Sequence, residues 1–165
     1  MQVEAIYQYL AENLHEMEWT IKKFSELTLD ELYAILQLRS EVFVVEQNCV
    51  YHDVDGKDQY AWHLMGTENG TLIAYTRIFS SGINYADPSI GRVVTSPSKR
   101  RSGLGRELMQ RSIESCEKLF GKTSIALGAQ VYLKNFYESL GFIVSGAEYI
   151  EDGIPHVTMT RKAST

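Results

Sequence analysis

Cysteine is scarce. Cys49 and Cys116 are the only two in 165 residues, with no C-x-x-C spacing. That excludes a disulfide-stapled scaffold and reads as the reduced thiols of a cytoplasmic protein. No run approaches the roughly 18 apolar residues of a membrane span. The opening MQVEAIYQYLAENLHE is too acidic and too often interrupted by polar residues to read as a signal peptide. Basic residues are outnumbered, 16 Lys+Arg against 21 Asp+Glu, for a net charge of -5. The longest basic cluster, Lys99-Arg100-Arg101, is too short for a phosphate-tracking stripe. Neither nucleic acid nor a membrane is therefore expected as a partner. Histidine and cysteine show no metal-ligand spacing, so no metal is expected. Internal repeats and low-complexity segments are also missing.

What is present has the composition of one globular domain, 44% hydrophobic and 22% charged. Val3, Ile6, Tyr7, Leu10 and Leu14 recur at helical spacing, so residues 1–16 read as a helical or tag-like extension and 17–165 as the domain. Thr28-Leu29-Asp30-Glu31 is a capping box that predicts a helix to about Phe43. A polar, turn-rich loop is expected over 46–60. Short strands are expected over 63–67 and 72–79, joined by an Asn69-Gly70 hairpin turn. A Ser/Gly/Asn/Asp/Pro-rich break over 80–89 precedes a strand over 90–95. Arg100 to Gly105 leads into a helix whose face is Met109, Ile113, Cys116 and Phe120. A strand over 124–127, a helix over 131–140 stopped by Gly141, a strand over 142–144 and a last strand over 154–160 that closes the sheet complete the reading. Helix first, then mixed strands with two later helices, is an α/β (α+β) domain with a central mixed β-sheet flanked by helices.

Two segments carry chemistry. Arg100-Arg101-Ser102-Gly103-Leu104-Gly105 enters a helix directly after a strand. Its glycines let the backbone turn tightly and leave N–H groups clear, next to the positive end of a helix. It fits neither the dinucleotide fingerprint nor the P-loop, and on spacing alone it is either an anion cradle or a plain turn. Tyr137, within Phe136-Tyr137-Glu138-Ser139-Leu140-Gly141-Phe142, is either a proton donor to a leaving group or a half-buried aromatic with its hydroxyl satisfied.

R-x-x-G-x-G followed by a strand and F-Y-x-x-x-G-F resembles the GNAT family of acetyl-CoA-dependent N-acyltransferases. FVVEQNCVYHDVDG, LGAQVYLKNFYESLGF and EDGIPH are similar to its ElaA-type branch, over about Glu18 to Arg161. The resemblance implies the GNAT acyl-CoA N-acyltransferase fold, acetyl-CoA as co-substrate and a primary amine as acceptor. It makes Arg101, Ser102, Gly103, Leu104, Gly105 and Arg106 the pyrophosphate cradle, with Arg100 at the motif's basic position. Val93, Val94 and Thr95 would pair with the pantetheine arm as an added strand. Tyr137 would be the general acid, and Gln130 stands seven residues earlier, where many members carry an asparagine.

The resemblance leaves the general base open. Many members carry a glutamate on the strand before the phosphate loop, and the strand over 90–95 has none. Glu46 and His63 are the candidates, His63 for its intrinsic pKa; otherwise Glu46 binds the substrate ammonium and His63 is a hydrogen-bonded strand histidine. Arg77 and Arg92 either anchor a substrate carboxylate or, as preferred, pair Asp55 or Asp58 to hold the loop against the sheet. His156 either lines the acceptor pocket or is structural. Neither cysteine has a base arrangement that suggests an acyl-enzyme. A non-catalytic acyl-CoA-binding module is the alternative function, and a homodimer is common in this fold.

Overall fold

The computed structural model describes residues 17–163. The helix expected over 1–16 lies outside them. The first described element is a strand, β1 (Met17–Lys23), rather than the expected helix. Its sequence MEWTIKK alternates, with Trp19 and Ile21 packed on the core while Glu18 and Thr20 face outward. The helix follows as α1 (Leu29–Arg39), started by the expected capping box. The Glu31 N–H donates to Thr28 Oγ1 at 3.1 Å, and Glu31 Oε2 accepts from the Thr28 N–H at 2.9 Å. Beyond Arg39 the coil widens into a π-helical turn over Ser40–Glu46. The Gln47 N–H reaches back five residues to the Val42 carbonyl at 3.2 Å. Such turns are rare, and they recur at functional sites.

β2 (Trp62–Glu68) and β3 (Thr71–Phe79) form the expected hairpin. Asn69 and Gly70 both take positive φ, 51° and 75°, as its tight turn requires. β4 (Ser89–Thr95) leads to α2 (Leu104–Phe120), then β5 (Ile125–Gln130). The helix expected over 131–140 is shorter, a 3₁₀ turn at Val131–Leu133 followed by α3 (Lys134–Glu138). β6 (Ile143–Glu151) and β7 (Ile154–Arg161) end the described chain.

The sheet order is β1-β2-β3-β4-β5-β7-β6, antiparallel except between β4 and β5. The last strand joins the sheet inside its edge rather than at it. It inserts between β5 and β6, because β7 buries Val157 and Met159 while β6 is exposed along most of its length. Successive residues serve opposite faces of the sheet. Met65, Tyr75 and Val94 pack with Ile35 and Leu38 of α1 and with Val42 of the π-helical turn. Leu64, Ala74 and Ile78 pack with Leu104, Leu108, Met109 and Ile113 of α2. α1 therefore covers one face and α2 the other.

Candidate functional site

The parallel strands β4 and β5 share a single rung, Ser89 opposite Ala126, with the Ala126 N–H donating to the Pro88 carbonyl at 2.9 Å. Past that rung they diverge. On its other side β4 stays paired to β3 but bulges: Arg92 and Val93 together oppose Thr76, and Arg92 takes a φ of 52°. Bulges and positive φ at a non-glycine residue concentrate where a fold re-aims backbone for function. The Ser96 N–H returns to the Ile73 carbonyl at 2.7 Å. Strand alternation then turns the N–H and C=O of Thr95, and of Val93 two residues earlier, toward the opening. The opening forms a cleft of about 990 Å³ that runs from Gly105 and Tyr137 at one end to Asn84 and Tyr85 at the other.

At the first end stands the turn before α2. Arg101 and Gly103 take φ of 63° and 88°, flanking Ser102, and Gly103 caps the helix in the left-handed region. Alternation of this kind curls successive N–H groups into a concave nest at the positive end of a helix. Side chains added at Gly103 or Gly105 would meet nothing within 4 Å, so the nest opens on free space. Leu104 is buried and anchors the turn, Ser102 Oγ donates to the Lys99 carbonyl at 2.7 Å, and Arg106 Nη2 donates to Ser139 Oγ at 2.7 Å.

Tyr137, on α3, lines the cleft at 5% exposure. Its ring is held edge-on by Phe136 and Phe142, with centroids 5.1 and 6.1 Å away. Among the described residues no hydrogen bond holds its hydroxyl. Burial, then the neighbouring Tyr132, pushes its ionisation well above the ordinary phenol value, so it stays protonated. Gln130 lines the cleft and donates through Nε2 to Gln47 Oε1 at 3.3 Å. Glu46 and Arg100, both lining the cleft, form a two-pronged ion pair at 2.7 and 2.9 Å.

Arg77 and Arg92 line the cleft but are committed to the 46–60 loop. Arg77 binds Asp55 through Nη1 and Nη2 at 2.7 and 2.6 Å, and Asp58 at 2.9 Å. Arg92 Nε binds Asp53 at 2.7 Å, and its Nη2 reaches Asp55 at 3.5 Å. A third cation, the fully buried Arg39 at the end of α1, holds Asp53 and Asp58 at 2.8 Å each and the Asp53 carbonyl at 2.8 Å. Three arginines and three aspartates thus balance and make the loop one wall of the cleft. This is the preferred loop-holding arrangement, with Arg39 and Asp53 added, and it takes the guanidinium ends away from a substrate carboxylate.

His63 stands apart from the cleft, so the structure does not bring it together with Glu46, the other candidate for the base. It is fully buried, outside the cleft lining, and both ring nitrogens are engaged. A carbonyl only accepts, so Nε2–H donates to the Asp58 carbonyl at 3.0 Å and Nδ1 accepts from the Tyr75 hydroxyl at 2.8 Å. Burial, with Arg39 and Arg77 nearby, holds its pKa below the ordinary 6.5 against the opposing pull of Asp58. For Asp55 burial acts upward, but the Arg77 hydrogen bonds and charge outweigh it and bring the carboxyl to about 2.

Both groups make acid destabilising. The unfolded chain takes up a proton near pH 6.5 that folded His63 refuses, so stability falls as pH drops through 6.5 toward the folded value. The stability from Asp55 is present above its unfolded pKa, near 3.8, and is lost as pH falls toward about 2. Urea unfolding from pH 8 to 4 should show the first decline beginning near pH 6.5, and His63→Gln should flatten it. A parent stability that is constant between pH 7 and 5 would contradict this account.

His156 lines the cleft with Nδ1 bonded to the Ile154 carbonyl at 2.8 Å, and it stacks on Tyr149 at 5.8 Å. Tyr149 and Tyr85 went unrecognised in the sequence. Their hydroxyls lie over Gly128, where an added Cβ would sit 2.7 and 3.0 Å from them. A Gly82 N–H to Tyr85 carbonyl bond of 2.8 Å sets the tight turn that delivers Tyr85 from the 80–89 break. The only signal for it was an aromatic within a turn-rich segment.

The chain matches the family described as Acetyltransferase (GNAT) domain over residues 25–163. It is 45% identical over 148 residues to Protein ElaA of Escherichia coli (strain K12), covering 88% of this chain and 97% of that protein. The crystal structure of Escherichia coli ElaA superposes with a TM-score of 0.83 at 44% identity, over 89% of this chain and 100% of that one. An acyl-CoA N-acyltransferase from Pseudomonas aeruginosa superposes with a TM-score of 0.82 at 45% identity, over 87% and 99% of the two chains. An aminoglycoside 6'-N-acetyltransferase complexed with coenzyme A shares the fold, with a TM-score of 0.65 at 15% identity over 87% and 96%. Among the described residues no helix is long and apolar enough to cross a membrane.

Proposed function

Because this chain belongs to the GNAT acetyltransferase family, in its ElaA-type branch, we propose that it transfers the acetyl group of acetyl-CoA to a primary amine by direct attack in a ternary complex. The observation that carries this reading is the splayed β4 edge running into the glycine nest before α2. The residues present fit the co-substrate. The nest over Arg101–Gly105 offers N–H groups and open space to a pyrophosphate, with Arg100, Arg101 and Arg106 as surrounding cations. Val93 and Thr95 offer the amide arm an unpaired edge, flanking Val94, which packs on α1.

Acetyl-CoA bound there supplies an acetyl group activated as a thioester. The chain's own contribution is positioning, polarisation and proton handling. Fixed backbone N–H groups at the β4 bulge polarise an oxygen that gains charge during attack, without reorganising. Tyr137, kept protonated by burial, presents its proton to a departing sulfur as the C–N bond forms and the C–S bond breaks, while the attacking nitrogen sheds its surplus proton to water in the open cleft and Tyr137 regains one from the same water. The acceptor amine enters the half of the cleft lined by Tyr85, Tyr149, His156 and Glu46.

Calorimetric titration with acetyl-CoA, followed by thiol release across an amine panel, tests the reading. Tyr137→Phe should bind acetyl-CoA as the parent does and turn over about 10²-fold more slowly, the lower range of general-acid effects. An unchanged rate would remove Tyr137 from the mechanism. β4 carries no carboxylate, which favours the non-catalytic acyl-CoA-binding module as the second reading. Binding without turnover of any amine would establish that one instead.

A further inference from the structure

Two adjacent residues at the end of the π-helical turn reach across the mouth of the β4–β5 opening. Glu46 takes both terminal nitrogens of Arg100 at 2.7 and 2.9 Å, on the segment that leaves β4. Gln47 accepts from Gln130 at 3.3 Å, on the last residue of β5. One turn therefore bridges both arms of the splay. Its charged contact joins an acceptor-side carboxylate to a cation beside the phosphate nest.

Among the described residues, no other carboxylate lining the cleft pairs with a cation beside the nest. Asp53, Asp55 and Asp58 are locked to Arg39, Arg77 and Arg92. Lys57 Nζ donates to Asn84 Oδ1 at 2.8 Å. Glu151 and Asp152 line the cleft at the β6–β7 turn, where the Asp152 carbonyl accepts from Cys49 Sγ at 3.2 Å. Glu46 is a carboxylate whose partner, Arg100, flanks the nest, so an anion there acts directly on it.

We propose that Glu46 anchors the ammonium of a cationic acceptor, and that Arg100 covers it until a phosphate of the acyl-CoA draws the guanidinium away. This inference rests on the acetyl-CoA reading above. The side chains of the pair are 42% and 41% exposed, so water and salt screen the contact and exchange is easy. A phosphate offers more charge and the same forked geometry that arginine matches. The released carboxylate then faces the acceptor half of the cleft. Co-substrate and cationic acceptor thus bind with positive, reciprocal coupling, the acceptor second.

Coenzyme A is the probe, titrated at low ionic strength into the parent, Glu46→Gln, Arg100→Gln and the double variant. Glu46→Gln removes the competitor and should tighten coenzyme A binding about two- to five-fold. Arg100→Gln should weaken it about tenfold. In the Arg100→Gln background the Glu46 change should have no further effect. In a second arm, 1,4-diaminobutane observed by saturation-transfer NMR should bind better to coenzyme A-saturated protein than to free protein, and Glu46→Gln should erase the difference. If Arg100→Gln weakens coenzyme A but Glu46→Gln changes nothing, or the diamine is indifferent to coenzyme A, the proposal is overturned while the acetyl-CoA reading stands. If the parent itself binds no coenzyme A, the acetyl-CoA reading fails and takes this inference with it.

Discussion

Gly105→Glu is expected to remove acetyl-CoA binding while leaving the fold at least as stable as the parent. Gly105 is the second residue of α2 and lines the cleft. Its φ lies outside the left-handed region, and a Cβ there meets nothing within 4 Å, so an L side chain enters without strain. Replacing a helical glycine gains roughly 0.5–1 kcal/mol in backbone entropy. A carboxylate in the first turn adds about 0.3–1 kcal/mol against the helix dipole. The same carboxylate stands before the nest, occupying its N–H groups and repelling a pyrophosphate. A loss of at least about 100-fold in affinity, roughly 2.7 kcal/mol, is the expected result. Gly103 is a poorer place for this test, because its φ of 88° would strain any substituent and confuse lost binding with lost folding. Calorimetry and a thermal melt on the same sample measure both quantities. Binding within about threefold of the parent would mean that the nest holds no phosphate.

The local parts of the architecture were legible because their causes are local. The capping box at Thr28, the Asn69-Gly70 turn and the apolar face of α2 each depend on residues a few positions apart. β1 was missed because its alternation is carried by only three apolar residues among charged ones, and such a strand is stabilised by pairing with β2 rather than by its own pattern. The insertion of β7 between β5 and β6 is a pairing choice among distant segments, which no periodicity reports.

The candidate site divides in the same way. The glycines before α2 and Tyr137 lie on short recognisable motifs. The commitment of Arg77 to Asp55 and Asp58 could be expected from charge in a long loop. Arg39, however, meets its partners 14 and 19 residues away, and Glu46 meets Arg100 across 54. Those encounters exist only once the sheet has seated α1 on β2, β3 and β4 and so brought the π-helical turn to the β4–β5 opening. His63 shows the converse case. An intrinsic pKa suited to catalysis does not reveal that the side chain points inward to Tyr75 and the Asp58 carbonyl.

Arg39→Met should cost about 3–5 kcal/mol of stability, the usual penalty for removing one partner from a buried ion network. Methionine keeps most of the length and the apolar stem, so the loss is one of charge and hydrogen bonding rather than volume. Asp53 and Asp58 would keep Arg92 and Arg77, but one buried negative charge would be left uncompensated. The bond from Arg39 Nη2 to the Asp53 carbonyl would also go, freeing the loop backbone that walls the cleft. Amide exchange over 47–61 should therefore quicken before exchange in α2 does. The pH dependence separates this cause from simple misfit. In the parent, burial pulls Asp58 upward, yet the Arg39 charge and the Arg77 and Arg39 hydrogen bonds hold it below its ordinary 3.8. In the variant that restraint weakens, so Asp58 takes up its proton at higher pH and relieves the uncompensated charge. Below the ordinary value the parent in turn loses the stability its ionised Asp58 supplied. The gap between parent and variant, read by urea unfolding, should thus narrow as pH falls from 7 toward 4. A gap that stays constant over that range would assign the loss to packing at the α1 terminus and not to the charge network.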